Sequence, residues 1–179
     1  GLRYSEEDRD SQSIDATPPI GNPPRFEGSF DDTSPHVGVK FQATDDLMVY
    51  GTASKGFRAG GFGTNTGFTG GIKEFDPEIA WTYELGMRME FMERRLRVNP
   101  TVFFTDWTDI QVNTLVTTPE PGAICSPCTP GVGTVPQNVG DAEIKGIEVE
   151  ALFQATDRLS LQASFGYLDA GYTEVANTR

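Results

Sequence analysis

The sequence predicts an all-β fold that is part of a transmembrane antiparallel β-barrel. Between Glu78 and Phe91, large apolar residues alternate with polar or small ones, and a period of two places them on opposite faces of a strand. This run is longer than the roughly five or six residues of soluble strands, and longer than the about 9–11 that a tilted membrane strand needs. Short and long connections also alternate along the chain, as they do in outer-membrane barrels.

The connections divide into two classes by length. Because each strand reverses the chain direction, all short turns fall at one end of the strands and all long loops at the other. The pattern predicts about seven long strands, with short periplasmic turns and long extracellular loops. The predicted turns are Thr44–Asp46, Met92–Arg94 and Thr156–Arg158, and the predicted loops are Asp10–Thr33, Phe57–Asp76 and Asn113–Asn138.

One turn sequence occurs twice. Phe41–Leu47 reads FQATDDL, and Phe153–Leu159 reads FQATDRL. The repeat indicates the same hairpin turn used at two places, and not a solenoid. We expect the side chains of Asp45 and Asp157 to bond their own backbone two residues further on, as Asp does in tight turns.

Composition excludes several classes of protein. The chain has 26 acidic and 14 basic residues and a net charge of −12, which argues against a nucleic-acid partner. No run approaches the roughly 18 consecutive apolar residues of a membrane helix. The sequence begins at Gly1 without a signal-peptide pattern, so we expect an internal piece of a longer protein.

The alternation predicts which side chains face the lumen and which face lipid. The competing interpretation is a large soluble β-sandwich with one wet face, but strand length and the loop asymmetry favour the membrane. We expect the lumenal charges to form a structural network, and no single one to be a ligand. The predicted lumenal residues are Glu84, Arg88, Glu90, Glu148 and Glu150, and the predicted lipid-facing residues are Trp81, Leu85, Met87, Val149 and Leu161.

Aromatic residues predict two bands along the strands. Phe41, Phe91 and Phe153 lie near the short turns, and Trp81, Trp107 and Tyr167 lie towards the long loops. Amphipathic rings prefer the headgroup level of a membrane, so two separated bands are typical of its two interfaces.

The two cysteines, Cys125 and Cys128, lie in a Pro-rich predicted loop. An oxidising surface location favours a local disulfide between them, with free thiols or a metal site as alternatives. A zinc site would need two further ligands, and the single histidine, His36, lies on a different strand. No catalytic triad, metal site or cofactor site is predicted, and we therefore expect no enzyme activity.

Four motifs resemble the barrel region of TonB-dependent outer-membrane receptors. They occur in the order of that family and spread over roughly positions 35–170. The motifs are Ser54–Phe62 (SKGFRAGGF), Asp76–Glu78 followed by Tyr83–Arg88, Phe104–Gln111 (FTDWTDIQ), and Asn138–Glu150 (NVGDAEIKGIEVE).

The resemblance implies a receptor in the outer membrane of a Gram-negative bacterium that takes up a scarce nutrient such as a ferric siderophore. Residues 1–179 would be a partial barrel domain, with the plug domain and the C-terminal strands outside it. Implied partners are membrane lipid, the TonB–ExbB–ExbD complex acting through the plug, and a small ligand: a siderophore, cobalamin or an oligosaccharide. The alternative is a cell-surface or secreted β-rich binding or adhesion protein.

Overall fold

The computed structural model describes residues 1–12, 25–63, 73–118 and 131–175. Within them, every regular element is a β-strand, and no helix is long and apolar enough to span a membrane. The strands are β1 Leu2–Gln12, β2 Arg25–Thr44, β3 Leu47–Arg58, β4 Gly61–Gly63, β5 Lys73–Phe75, β6 Glu78–Phe91, β7 Leu96–Thr108, β8 Gln111–Thr118, β9 Gly131–Asn138, β10 Gly140–Thr156 and β11 Leu159–Val175.

Seven of the described strands form one antiparallel sheet in the order β1-β2-β3-β6-β7-β10-β11. Each long strand pairs with the next long strand along the chain, so the sheet is a simple meander. This arrangement confirms the predicted all-β antiparallel fold with seven long strands.

The predicted long loops are in part wrong, because each contains paired strand. β4 pairs with β5 inside Phe57–Asp76, and β8 pairs with β9 from Gln111 to Asn138. Strands β1 and β2 extend their ladder up to the pair Gln12↔Arg25, well inside Asp10–Thr33. These segments are rich in Gly, Pro and polar residues and lack clear alternation, so their strands depend on the backbone ladder and not on a hydrophobic pattern.

The repeated turn sequence adopts the same structure twice, as predicted. In one copy the Thr44 Oγ1 accepts the Asp46 N–H at 3.3 Å, and Gln42 Nε2 donates to the Thr44 carbonyl at 2.6 Å. The second copy has the matching bonds from Arg158 to Thr156 Oγ1 and from Gln154 Nε2 to the Thr156 carbonyl. The expected role of the aspartates was therefore wrong, because the threonine hydroxyl makes the local bond.

The third turn, between β6 and β7, is conformationally unusual. Met92, Glu93 and Arg94 have φ values of 54°, 57° and 67°, in the left-handed region that non-glycine residues rarely adopt. The next residue, Arg95, donates to the carbonyls of Gln154 and Ala155 at 3.1 and 2.5 Å. Arg95 thereby joins this turn to the end of β10.

One face of the sheet carries an almost continuous apolar surface, which we call the apolar face. Directly paired residues of an antiparallel ladder have side chains on the same face, so the register defines it. Leu85 is 52% exposed and Tyr167 is 61% exposed, although both belong to this surface. One row of the apolar face crosses six strands through Val39, Gly51, Leu85, Val102, Ile147 and Tyr167.

The opposite face is polar, and we call it the polar face. Tyr50 hydrogen-bonds Thr101 at 3.0 Å on this face, and Thr82 hydrogen-bonds Thr105 at 3.0 Å. Glu90 binds both Arg94 and Arg97, at 3.1 and 2.9 Å. One row of the polar face runs through Lys40, Tyr50, Gly86, Thr101, Glu148 and Gly166.

The register corrects one member of the predicted aromatic bands. Trp81 is paired with Asp106 and Ala80 with Trp107, so the two tryptophans lie on opposite faces of the sheet. Trp81 is on the apolar face and stacks on Tyr83, with ring centroids 6.1 Å apart. Trp107 is on the polar face, and its buried Nε1 has no hydrogen-bond partner among the described residues. One residue of displacement in register is enough to change the face.

The position of Leu85 and Met87 on the apolar face predicts how Arg substitutions at these residues affect barrel assembly. Replacing Leu85 or Met87 with Arg places a charge on this face, at a cost of about 2–4 kcal/mol near the bilayer midplane. We expect both changes to reduce barrel assembly strongly. The measurement is the amount of heat-modifiable, folded full-length receptor in the outer-membrane fraction.

Glu84→Gln is the matched control, because Gln retains an oxygen for the hydrogen bond of 3.2 Å that Thr52 donates to Glu84. Assembly of this variant should equal that of the unchanged protein. An equal loss of folded receptor in Glu84→Gln and Leu85→Arg would contradict the assignment of the two faces.

Candidate functional site

The four sequence motifs meet at one end of the sheet, away from the short turns. They lie at the end of β3, the start of β6, the end of β7 and the start of β10, which are neighbouring strands. The most buried apolar residues of the described chain lie here too: Ala59, Phe75, Ile110 and Val135 are 1–7% exposed. This loop end is therefore the one packed part of the sheet that the structure describes.

Two side-chain amides attach the β8–β9 hairpin to the sheet. Gln111 and Asn138 face each other at its base. Gln111 Nε2 donates to the carbonyls of Ala59 and Asp76 at 3.0 and 3.1 Å. Asn138 Nδ2 donates to the carbonyls of Asp76 and Asp109 at 3.0 and 2.7 Å, and its Oδ1 accepts the Asp76 N–H at 2.7 Å. We call this set the amide staple, because it joins three connecting segments through their backbones.

The carboxylate of Glu78 binds the backbone of Gln111, one of the two residues of the amide staple. It is 9% exposed, and its Oε2 accepts the Gln111 backbone N–H at 2.7 Å. The same oxygen lies 3.7 Å from Arg58 Nη1. A buried carboxylate needs such partners, because a buried charge without them is strongly destabilising. Glu78 and Arg58 come from two of the four motifs.

A second ion pair holds the β1–β2 hairpin against β3. Lys55 Nζ contacts Asp32 Oδ1, and the side chains are 16% and 10% exposed. Ser34 Oγ donates to the other oxygen of Asp32 at 2.9 Å. Both carboxylate oxygens are therefore satisfied, and the pair stabilises the position of the hairpin beside β3.

Two glycines of the motifs are required by close contacts. A Cβ atom on Gly60 would lie 2.5 Å from the Phe75 carbonyl oxygen. Gly140 has a φ of 134°, and a Cβ there would collide with the Glu174 backbone. Its carbonyl accepts the Ile110 N–H at 2.9 Å, which closes the junction between β7 and β10.

A cavity of about 290 Å³ lies where the β8–β9 hairpin meets the sheet. Two arginines, Arg9 from β1 and Arg58 from β3, contribute its charge. Its described lining consists of Arg9, Arg58, Phe75, Gln111, Val112, Asn113 and Pro136. Polar groups make up most of its exposed lining, and Phe75, Val112 and Pro136 contribute a smaller apolar part.

Three carboxylates lie close together beside this cavity. Partial desolvation, followed by the negative charges of Asp141 and Asp76, raises the pKa of Asp109 above its ordinary value. The backbone of Asp109 has a φ of 55°, and its N–H donates to Asp141 Oδ1 at 2.9 Å. The ionised form of Asp109 is therefore less favoured here than in an isolated carboxyl.

The predicted lumenal and lipid-facing residues lie outside the cavity. The register puts Glu84, Arg88, Glu90, Glu148 and Glu150 on the polar face, and Trp81, Leu85, Met87, Val149 and Leu161 on the apolar face. Which face meets lipid and which the lumen stays a prediction. Cys125 and Cys128 lie outside the described residues, and their disulfide also stays a prediction.

Sequence reasoning did not identify the residues of the amide staple or the cavity. Arg58, Gln111 and Asn138 lie inside the quoted motifs, so their presence was a usable signal. The sequence did not predict that these residues lie close together, because their proximity depends on the pairing of β8 with β9 and on the order of the strands. Arg9 belongs to no motif.

The raised pKa of Asp109 predicts that the stability of the β8–β9 hairpin base depends on pH. A carboxyl whose pKa is raised by folding stabilises the fold below its unfolded pKa, and this contribution is lost as the pH rises through the folded value. Asp109→Asn should therefore increase protection of β8 and β9 at pH 7 by a few-fold and remove the gain seen on acidification. Hydrogen exchange of the full-length receptor, corrected for intrinsic exchange rates, measures the protection at pH 7 and its change on acidification.

Asp157→Asn, in an exposed short turn, is the matched control and should leave protection of the hairpin unchanged. Faster exchange of β8 in Asp109→Asn at pH 7 would show that the ionised carboxylate supports the base instead of opposing it.

Comparison with known proteins places this geometry in a family. The chain matches the model for the TonB dependent receptor-like β-barrel over residues 1–179. It is 29% identical over 186 residues to the metal-pseudopaline receptor CntO of Pseudomonas aeruginosa, covering 99% of this chain. It is 28% identical over 117 residues to the ferric-pyoverdine 358 receptor of Pseudomonas putida, covering 65% of this chain.

A solved structure has the same fold. The ferric yersiniabactin uptake receptor FyuA of Yersinia pestis superposes with a TM-score of 0.65 at 23% identity, covering 96% of this chain and 24% of that one. The chain spans 22% of the length of CntO and 13% of the length of the ferric-pyoverdine receptor. The family consists of transport receptors and not of enzymes. The chain belongs to the TonB-dependent receptor family and forms part of an outer-membrane β-barrel.

Proposed function

We propose that the full-length protein takes up a scarce nutrient, such as a ferric siderophore, across the outer membrane with energy from the TonB–ExbB–ExbD complex. The observation that carries the proposal is the apolar face, an exposed surface that crosses six strands and is backed by a polar face. A soluble protein would bury such a surface, whereas a barrel exposes it to lipid.

The charged residues of the polar face support the proposal that this face lines a lumen, which the plug domain would occupy in the complete receptor. Glu148 and Glu150 lie on it and are exposed, and so is Arg88. We propose that these groups line the barrel and meet the plug domain, through which the TonB complex would act. The partial barrel domain described by residues 1–179 then supplies a section of wall and the loop-end structures above it.

The receptors matched by the chain support the nutrient class. Their names specify metal-pseudopaline and ferric pyoverdine as ligands of those proteins. The cavity at the loop end, whose lining includes Arg9 and Arg58, is the place where we propose that a small molecule binds.

Growth and uptake test the proposed function. A strain lacking the gene should lose uptake from at least one metal chelate by about tenfold or more, and deletion of tonB should have the same effect. Complementation should restore uptake. Unchanged uptake for every chelate, or uptake independent of tonB, would contradict the proposal and favour a surface-binding or adhesion role.

The orientation of the barrel is tested separately. We expect the turns at Asp45, Glu93 and Asp157 to face the periplasm and the loop containing Asn65 to face outward. In a Cys125→Ser, Cys128→Ser background, Asn65→Cys should react with an impermeant maleimide in intact cells, and Asp45→Cys should not. Both should react after lysis, which controls for accessibility. Labelling of Asp45→Cys in intact cells would reverse the orientation.

A further inference from the structure

The alternation of side chains specifies the register of a strand pair only in part. A slip of one residue would exchange the apolar and the polar face, so the hydrophobic pattern excludes it. A slip of two residues keeps every side chain on its own face, and the described sheet has no fully buried large side chain that would resist it. Another feature must therefore distinguish the native register from those that differ by two residues.

Short turns specify the register of three strand pairs in the described sheet. The pairs β2–β3, β6–β7 and β10–β11 are hairpins, and the length and type of a short turn fix the register of its hairpin. The pairs β3–β6 and β7–β10 are joined instead by long segments, residues 59–77 and 109–139. The register of these two pairs therefore depends on contacts within the sheet.

Each of these two pairs has an aromatic residue directly opposite a glycine on the polar face. Tyr50 of β3 is paired with Gly86 of β6, and Phe103 of β7 is paired with Gly146 of β10. A Cβ atom on Gly86 would collide with the ring of Tyr50, and one on Gly146 would lie 2.5 Å from Cζ of Phe103. Each ring therefore occupies the space that a side chain on the opposite residue would need. We call the two contacts the aromatic–glycine clasps.

The first clasp extends to a third strand. The hydroxyl of Tyr50 hydrogen-bonds Thr101 Oγ1 of β7 at 3.0 Å, and Thr101 is the partner of Gly86 on that side. The ring of Tyr50 therefore crosses β6. Gly86 is buried, although Leu85 and Met87 on either side of it are exposed. A glycine inside a strand weakens it, and an aromatic ring packed across the glycine compensates for this loss.

The clasps require the native register. A slip of two residues would place each ring opposite a large side chain: Glu84 or Arg88 for Tyr50, and Ile144 or Glu148 for Phe103. None of these residues leaves the space that the glycine leaves. Neither glycine of the clasps has a positive φ, so the space above it, and not its backbone conformation, is what requires glycine.

We infer that the two aromatic–glycine clasps are register locks for barrel assembly, which specify the pairing of β3 with β6 and of β7 with β10. The inference concerns how the barrel forms, so it goes beyond the proposed uptake function and does not depend on the ligand. It distinguishes strand pairs that a short turn aligns from strand pairs that a clasp aligns.

The rate of assembly of the full-length receptor tests the first clasp. The three atoms nearest to a Cβ on Gly86 all belong to the end of the Tyr50 side chain, so Gly86→Ala displaces the ring without a shift of the backbone. We expect Gly86→Ala and Tyr50→Ala each to lengthen the half-time for acquiring the heat-modifiable form about fivefold in a pulse-chase experiment. The double variant should assemble no more slowly than Tyr50→Ala, because both changes remove the same contact.

The second clasp is tested with Phe103→Ala. A Cβ on Gly146 would also lie 2.6 Å from the backbone carbonyl oxygen of Tyr167, so a substitution of this glycine would disturb β11 as well as the ring. Phe103→Ala removes the ring alone, and we expect it to slow assembly as Tyr50→Ala does.

Disulfide crosslinking during assembly measures the register directly. In the same background without Cys125 and Cys128, Ser54→Cys should crosslink to Thr82→Cys in the native register. After a slip of two residues, Ser54→Cys would face Ala80→Cys or Glu84→Cys instead. We expect only the native crosslink when Tyr50 is present, and slipped crosslinks as well in Tyr50→Ala.

Gly38→Ala is the matched control. Gly38 also lies on the polar face, but a Cβ there would lie 3.6 Å from Cγ2 of its partner Thr52, which is an ordinary contact. This variant should assemble at the unchanged rate. Tyr50→Phe retains the ring without the bond to Thr101, and its half-time should lie between those of the unchanged protein and Tyr50→Ala.

Three results would overturn the register locks. The first is an unchanged assembly rate in Tyr50→Ala, which would make the collision in Gly86→Ala a matter of space alone. The second is equal slowing by Gly38→Ala, which would show that this face tolerates no added side chain. The third is the native crosslink alone in Tyr50→Ala. Uptake of a nutrient by the assembled receptor decides none of them, so the proposed function is tested independently.

Discussion

The requirement that every backbone N–H and C=O find a partner governs this structure. In a membrane, water cannot satisfy these groups, so strands must pair along their whole length. The seven-stranded meander meets this requirement for its five inner strands, while β1 and β11 each have a neighbour on one side only in the described sheet. Because successive side chains of a strand leave opposite faces, the paired strands present one apolar and one polar face without a buried centre between them. The described residues accordingly contain no fully buried large side chain.

Packing is concentrated where this ladder leaves the regular sheet. At the loop end, the hairpins β4–β5 and β8–β9 cannot rely on the apolar face, and their positions depend on the amide staple and on Glu78. Gln111 and Asn138 act on backbone groups of three segments, as an extra pair of strand residues would. The cavity exists because the staple holds the hairpin beside Arg58. The staple includes the backbone carbonyl of Asp109, a residue whose side-chain pKa is raised by partial desolvation and by the charges of Asp141 and Asp76.

The two ends of the strands have different tasks. The short-turn end uses local bonds of the threonine hydroxyls in the repeated turn, and Arg95 adds long-range contacts to the end of β10. These bonds reverse the chain with few residues. The loop end uses long-range side-chain contacts, including Lys55 with Asp32 and Asn138 with Asp76. Connecting segments tolerate more sequence variation than the strands they join, so the loop end can vary independently of the sheet.

The sequence by itself determined the long strands, their two faces and their meander order. Period-two alternation from Glu78 to Phe91 and the repeated turn at Asp45 and Asp157 are local signals, and local signals can be interpreted without a partner strand. Only the tertiary structure showed the pairs β4–β5 and β8–β9, the face of Trp107, and the meeting of Arg9 with Arg58. Each of these depends on register or on contacts between residues far apart in the chain. A shift of one residue reverses a side chain, and no composition or spacing of a single strand specifies which distant residue it will face.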